Sequence, residues 1–178
     1  MSVTIASYNI HKAIGTDRRH DPERILDVIA EIGAQIVVIQ EADRRFGSRQ
    51  SALPPELLLA RGWQVAPLAE RTASIGWHGN AILLSPSVTL ERSVRLPLPM
   101  LEPRGAVLAD LRIDGHPLRL VGAHLDLSGL WRARQVRSLI EAISRQPAAP
   151  PVLVMGDLNE WRLRPRALAA LDAVYPAV

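Results

Sequence analysis

The chain has 178 residues, 48% of them hydrophobic, a formal net charge of +3 and no cysteine. That length suits a single domain over residues 1–178 with a real core, and the apolar content argues against disorder. The lack of cysteine excludes disulfides, thiolate zinc sites and a cysteine nucleophile, and no apolar stretch approaches the length of a membrane span. The opening MSVTIASYNIHK has no basic segment followed by an apolar one, so no secretory signal is expected and the cytoplasm is the expected compartment. Lys12 is the sole lysine. The arginines are scattered, with pairs such as Arg18-Arg19 and no dense run, so the positive charge is weak support for a polyanionic partner.

In chain order, SVTIASYNI reads as a strand. DPERILDVIAEIGA reads as a helix, with Asp21 as N-cap, Pro22 in the first turn and Gly33 near the end. Ile25, Val28, Ile29 and Ile32 fall on one face of it. AQIVVIQE follows as a second core strand, giving a strand–helix–strand unit. Residues 42–52 are polar and arginine-rich and read as a surface loop. PPELLLARG is a short helix, and WQVAPLA and NAILLS are strand-like. AVLADLRID and HPLRLVGAHLD flank Asp114-Gly115, a hairpin signal. LSGLWRARQVRSLIEAISRQ is an amphipathic helix with Leu130, Ala133, Val136, Leu139, Ile140 and Ile143 on its apolar face. VLVM, an apolar run without alternation, suits a strand covered on both faces. A short helix around PRALAALDA comes last. Layered α/β or α+β is the expected class.

Several of these strands close on polar residues: Asn9, Glu41, His124 with Asp126, and Asp157 with Asn159. An unpaired buried carboxylate is costly, so such endings are rarely accidental. Ligands of layered sheets bind beyond the carboxyl ends of strands. A cluster rich in oxygen donors with one imidazole suits Mg²⁺ or Mn²⁺ better than zinc or copper. For GDLN the competing reading is a plain turn, since Gly, Asp and Asn are common turn formers. If the strand direction persists, Asp157 and Asn159 point to one spot, where two hard oxygen ligands could hold a divalent metal or a phosphate.

SYNIHK, IVVIQEAD, GNAILLS, PRGAVLADL, GAHLDLS and VLVMGDLNEW, in that order, resemble the endonuclease/exonuclease/phosphatase superfamily. This is the fold of DNase I, exonuclease III-type endonucleases, inositol-polyphosphate 5-phosphatases and neutral sphingomyelinases. The similarity is greatest to small bacterial members of unassigned substrate that share openings like YNIHK. The resemblance implies a four-layer α/β/β/α sandwich of two mostly antiparallel sheets. It also implies Mg²⁺- or Mn²⁺-dependent hydrolysis of a phosphate ester, in nucleic acid or in a small or lipid phosphodiester. By the same resemblance Glu41 is the metal-binding carboxylate, and Asn9 the amide beside the metal. Asp157 positions or deprotonates the attacking water. Asn159 donates to the phosphate, and His124 hydrogen-bonds it. Asn80 is a substrate-side residue. Arg104 is a candidate for phosphate contact, against a surface ion pair.

The family normally closes with a strand bearing Ser-Asp-His, and no Asp-His pair occurs anywhere in this sequence. The sandwich is therefore expected to be incomplete at its C-terminus. SVTIASYN should then keep an open hydrogen-bonding edge, a route to self-association. Two functional classes follow: a metal-dependent phosphoesterase, impaired in this chain, or a non-catalytic remnant acting as a binding or structural module. A serine hydrolase lacks its G-x-S-x-G, and a zinc hydrolase its histidine spacing. His78, like the other remaining histidines, reads as loop or surface. Asp126 reads as a helix cap, and Trp131 and Trp161 as packing at helix starts. Residues 42–52 and 66–79 are the loops expected to set substrate choice.

Overall fold

A computed structural model of the chain describes residues 2–44, 47–147, 150–161 and 167–176. The opening unit forms as its sequence dictates: β1 (Ile5–Asn9), α1 (Pro22–Ile32) and β2 (Ile36–Gln40), with β1 and β2 parallel. The Asp21 side chain accepts a hydrogen bond from the Arg24 backbone N–H, and Gly33 ends α1 in the left-handed conformation, the expected pair of caps. The buried face of α1 is Ile25, Leu26 and Ile29, while Ile32 is exposed in the last turn. After β2 come α2 (Pro55–Ala60), β3 (Gln64–Val65), β4 (Ala81–Leu84), β5 (Val88–Leu96), β6 (Gly105–Ile113) and β7 (His116–His124). Asp114 and Gly115 both take positive φ between β6 and β7, the tight hairpin that Asp-Gly favours. The chain continues through α3 (Gly129–Ser144), β8 (Val152–Asp157) and α4 (Ala169–Val174). The beginning of the PRALAALDA segment lies outside the described residues.

Two four-stranded sheets result, ordered β1-β2-β4-β3 and β5-β6-β7-β8. Pairing is antiparallel except between β1 and β2 and between β7 and β8. The alternation of side chains along each strand sorts the core into three slabs. Val37, Ile39, Ala81 and Leu83 pack with Ile25, Leu26, Ile29 and Leu58 of α1 and α2. Ile36, Val38, Ile82 and Leu84 face Val107, Ala109, Leu111 and Leu120 across the two sheets. Leu108, Val121 and Ala123 meet Val136, Leu139 and Ile143 of α3, and Leu171 of α4. Three slabs between four layers make the α/β/β/α sandwich. The sheets approach so closely at Gly122 that a Cβ there would lie 2.4 Å from Cγ1 of Val38. No described helix is long and apolar enough to cross a membrane.

Both β1 and β8 are edge strands, each hydrogen-bonded to one neighbour among the described residues, and they pack against each other across the sheets. The open edge expected at β1 is present, and a second one exists at β8. VLVM is covered on both faces, Leu153 and Met155 packing into the slab between the sheets and Val152 and Val154 into the slab with α3 and α4, yet all six residues of β8 are only half-buried, because no described strand flanks its outer edge. Leu130 is exposed in the first turn of α3, and Trp161 is exposed as well, not packed at a helix start. The 42–52 loop is not all surface, since Ala42, Asp43 and Ala52 are buried.

Candidate active site

β1 and β2 run parallel in one sheet, β7 and β8 in the other, and the polar ends of all four meet at the mouth between the sheets. Asn9 is opposite Gln40 in the β1–β2 register, one residue before Glu41, and His124 is opposite Asp157 in β7–β8. The Asn9 Nδ2 donates to Asp157 Oδ2 at 2.8 Å, a bridge from one sheet to the other. His124 Nε2 lies 3.6 Å from the same carboxylate oxygen. Glu41 and His124 line one cleft together with Lys12, Asp43, Arg44, Arg49, His78, Gly79, Pro103 and Arg104. Asn9, Glu41, His124 and Asp157 are thus brought together at one end of the sandwich.

The strand direction does not persist through GDLN. Gly156 and Asn159 both have positive φ, and the Asn159 backbone N–H donates to Asp157 Oδ1 at 3.1 Å. The segment is a turn and part of the site at once: the turn's hydrogen bond and the Asn9 amide fix both oxygens of Asp157. Asn159 is buried and its Nδ2 donates to the Leu125 carbonyl at 2.8 Å, so it ties the β8 turn to the end of β7. Asn80 is fully buried too. Its Nδ2 donates to the Gly105 carbonyl at 3.1 Å, linking the two sheets, while its Oδ1 has no partner among the described residues. Asp126 does not cap α3; Ser128 holds that position, and Asp126 Oδ1 accepts from the Ser128 backbone N–H.

Arg104 is buried, and it makes the ion pair as well as reaching the cleft. Its Nε donates to Glu102, and its Nη1 donates to the Leu125 carbonyl at 2.9 Å and to Nε2 of His124. A guanidinium has no lone pair to offer, so in this contact His124 accepts at Nε2 as the neutral Nδ1–H tautomer. Nη2 of Arg104 has no protein partner among the described residues, and the side chain lines the cleft.

Glu41 sits at positive φ directly after β2, which turns its carboxylate into the cleft. Burial works against its charged form, but the hydrogen bond from Lys12 and the charge of that ammonium overcome it and hold the carboxyl below its ordinary value. Lys12 comes from a tight turn, His11–Ala13, whose three residues all take positive φ. Such conformations cost L-residues free energy, so the surrounding packing enforces this one; Ala13 at its end is completely buried. Lys12 was not legible as a site residue, because its position depends on that irregular turn.

The donor set fits a hard divalent cation. Glu41 supplies a carboxylate at the cleft, and the Asp157 carboxylate and Asn9 amide stand at the same mouth. Among the described residues no three His, Cys, Asp or Glu side chains form a metal cage. Mg²⁺ does not require one, since it keeps several waters and is held through one or two carboxylates with substrate phosphate.

The model of the Endonuclease/Exonuclease/phosphatase family matches residues 6–173. The uncharacterized protein YbhP of Escherichia coli K12 is 24% identical over 196 residues, spanning 98% of this chain and 75% of its own length. Among solved structures, D. rerio TDP2 complexed with a single-strand DNA product superposes with a TM-score of 0.68 at 20% identity, covering 94% of this chain and 63% of that one. The Bacteroides thetaiotaomicron mannosyl-6-phosphatase Bt3783 superposes at 0.70 with 14% identity, covering 97% and 71%.

Proposed function

Because the chain belongs to the endonuclease/exonuclease/phosphatase family, a hydrolase superfamily of nucleases and phosphatases, we propose that it is a phosphoesterase using Mg²⁺ or Mn²⁺ held at Glu41. The observation that carries the reading is the bridge from Asn9 to Asp157 beside His124, with Glu41 and Arg104 in the adjoining cleft. A cation bound at Glu41, with Asn9 and Asp157 beside it, would polarise a phosphoryl oxygen and stabilise charge on the leaving oxygen. Asp157, clamped by two hydrogen bonds, orients a water for in-line attack on phosphorus and takes its proton. As the new P–O bond forms, the ester P–O bond breaks and the leaving oxygen is protonated from solvent. Arg104 offers Nη2 to the charge building on the phosphoryl oxygens, and His124, accepting from Arg104 at Nε2, steers it. Asn159 and Asn80 act on the substrate indirectly, by holding the ends of β7–β8 and the approach of the two sheets.

Single-stranded DNA product is bound by one structural neighbour and another is named a sugar phosphatase, so both nucleic acid and small phosphate esters belong in the test. The experiment is a panel of oligonucleotides, small and lipid phosphodiesters and sugar phosphates, each with Mg²⁺, with Mn²⁺ and with chelator. Hydrolysis of at least one class that chelator abolishes is expected. Slow turnover is part of the reading, since the sequence holds no Asp-His pair to support the phosphate. No metal-dependent hydrolysis of any class would refute it. It would favour the second reading, a non-catalytic module, which the occupation of Glu41 by Lys12 supports. The two open edges, β1 and β8, offer a route to self-association, which sedimentation over a range of concentrations would reveal.

A further inference from the structure

The cleft is more basic than one phosphate requires. Lys12 and Arg104 stand at the strand ends, and Arg44 and Arg49 come from the loop after β2. The two acids in it are committed. Glu41 pairs with Lys12. Asp43 is buried and spends its oxygens on the Ser74 hydroxyl at 2.6 Å and the Ile75 backbone N–H at 3.0 Å. Asp43 thereby welds the 43–51 loop to the 74–79 loop. The Ala42 backbone N–H, donating to the Gly79 carbonyl at 2.9 Å, adds a second tie.

These welded loops bring Arg49 and His78 together. Arg49 Nη1 donates to His78 Nδ1 at 3.2 Å. The Trp77 ring packs edge-on to the imidazole with centroids 4.2 Å apart, and Trp77 is itself buried. Accepting at Nδ1 makes His78 the neutral Nε2–H tautomer, a donor on its far side. Burial and the Arg49 charge both push its titration down from the ordinary histidine range, in the same direction. The imidazole therefore orients Arg49 without neutralising it. No carboxylate forms an ion pair with Arg49 among the described residues; Asp43 acts on Arg49 and Glu70 on His78 only through their charges, and Glu70 is itself paired with Arg95 at 2.5 Å. A guanidinium held in place without a direct ion pair, beside an N–H donor in a cleft, can receive an oxyanion.

We propose that Arg49 and His78, assisted by Arg44, form a second phosphate subsite in the cleft, so that the preferred ligands carry a further phosphate beside the scissile one. This rests on the phosphoesterase reading for the word scissile but not for the binding itself, and binding is what the test reads. Thymidine 3′,5′-bisphosphate and thymidine 5′-monophosphate are titrated calorimetrically into the full chain without metal. The bisphosphate should bind about ten-fold more tightly, the size of one charge-assisted hydrogen bond. Arg49→Gln should close that gap to within about two-fold, Arg49→Lys should restore part of it, and Arg112→Ala, at the hairpin end of β6 away from the cleft, should leave it intact. Thermal unfolding of each variant checks its folding, and His78→Gln, which keeps Arg49, should narrow the gap as a second route. Equal affinity of the wild type for both nucleotides, or a gap that survives Arg49→Gln, overturns the subsite. A gap in binding without metal-dependent hydrolysis upholds the subsite and overturns the hydrolase reading alone.

Discussion

Replacing Gly156 by alanine probes the joint between fold and site. Gly156 pairs with Ala123 in the β7–β8 ladder and immediately precedes Asp157. Its φ is +142°, and a Cβ there would lie 1.9 Å from the Ala123 carbonyl oxygen and 2.8 Å from its nitrogen. Those atoms are backbone of a buried strand and cannot swing aside. Overpacking of this kind costs roughly 1–3 kcal/mol. Backbone strain in a region essentially reserved for glycine adds about 1–3 kcal/mol. A total near 4 kcal/mol should lower Tm by roughly 8–16 °C for a chain of this size. Gly115→Ala is the comparison: its φ is +84° and a Cβ would meet nothing within 4 Å, so it carries strain without the clash and should cost less. Thermal unfolding followed by circular dichroism reads both. A fall of under about 2 °C for Gly156→Ala, or a larger fall for Gly115→Ala, would refute the argument that close β7–β8 contact sets the position of Asp157.

Asp110 should matter to stability although it is far from the cleft. It accepts from Arg119, a side chain only 2% exposed, at 2.7 Å and from Arg92 at 2.8 Å. Asp110→Asn removes the carboxylate that pairs with both Arg119 and Arg92 and should cost about 3–5 kcal/mol in urea unfolding. Burial pushes the Asp110 carboxyl up, but the hydrogen bonds from Arg119 and Arg92 outweigh it and hold the group below its ordinary value. A depressed folded-state value means that the contribution is complete above the unfolded carboxylate range, near pH 4, and is lost as pH falls through the folded value. Wild type should therefore lose its advantage over Asp110→Asn only on acidification below about pH 4. Lys12→Met removes the ammonium that occupies Glu41 and should tighten Mn²⁺ binding roughly two- to ten-fold by calorimetry; weaker binding would mean that Lys12 helps to hold the metal.

The sequence carries the strand–helix–strand opening because periodicity and caps are local. Asp21, Pro22 and Gly33 mark α1 without reference to any other element, and Asp114-Gly115 marks the hairpin in the same way. Asn9, Glu41, His124 and Asp157 were legible because each interrupts an apolar strand at its end, and strand ends of layered sheets gather in space. The half-exposure of β8 was not legible, since it depends on which strand lies beside it, a non-local fact. The same holds for Leu130 and Ile32, which satisfy helical spacing yet are exposed, because what covers a helix face depends on its neighbours in space. Asn159 and Arg104 were found as candidates, yet their work differs from a plain contact with phosphate. The Asn159 amide binds a backbone carbonyl, and Arg104 reaches the cleft beside His124. Arg49, His78 and Lys12 take positive φ in irregular loops, where neither spacing nor composition tells where a side chain points. What the sequence did mark was the loops themselves, 42–52 and 66–79, and the cleft draws Asp43, Arg44, Arg49, His78 and its neighbour Gly79 from in and beside them.

The central claim is that acids and amides from separate strands hold one divalent cation with Glu41 as its anchor. It is tested most directly by thermal unfolding with and without Mg²⁺ in wild type and Glu41→Ala. At a hundredfold excess over Kd, bound metal contributes about 2.7 kcal/mol, a rise of roughly 5–10 °C in Tm. The account predicts that rise in wild type and its loss in Glu41→Ala; an equal rise in both proteins, or none in wild type, would contradict it.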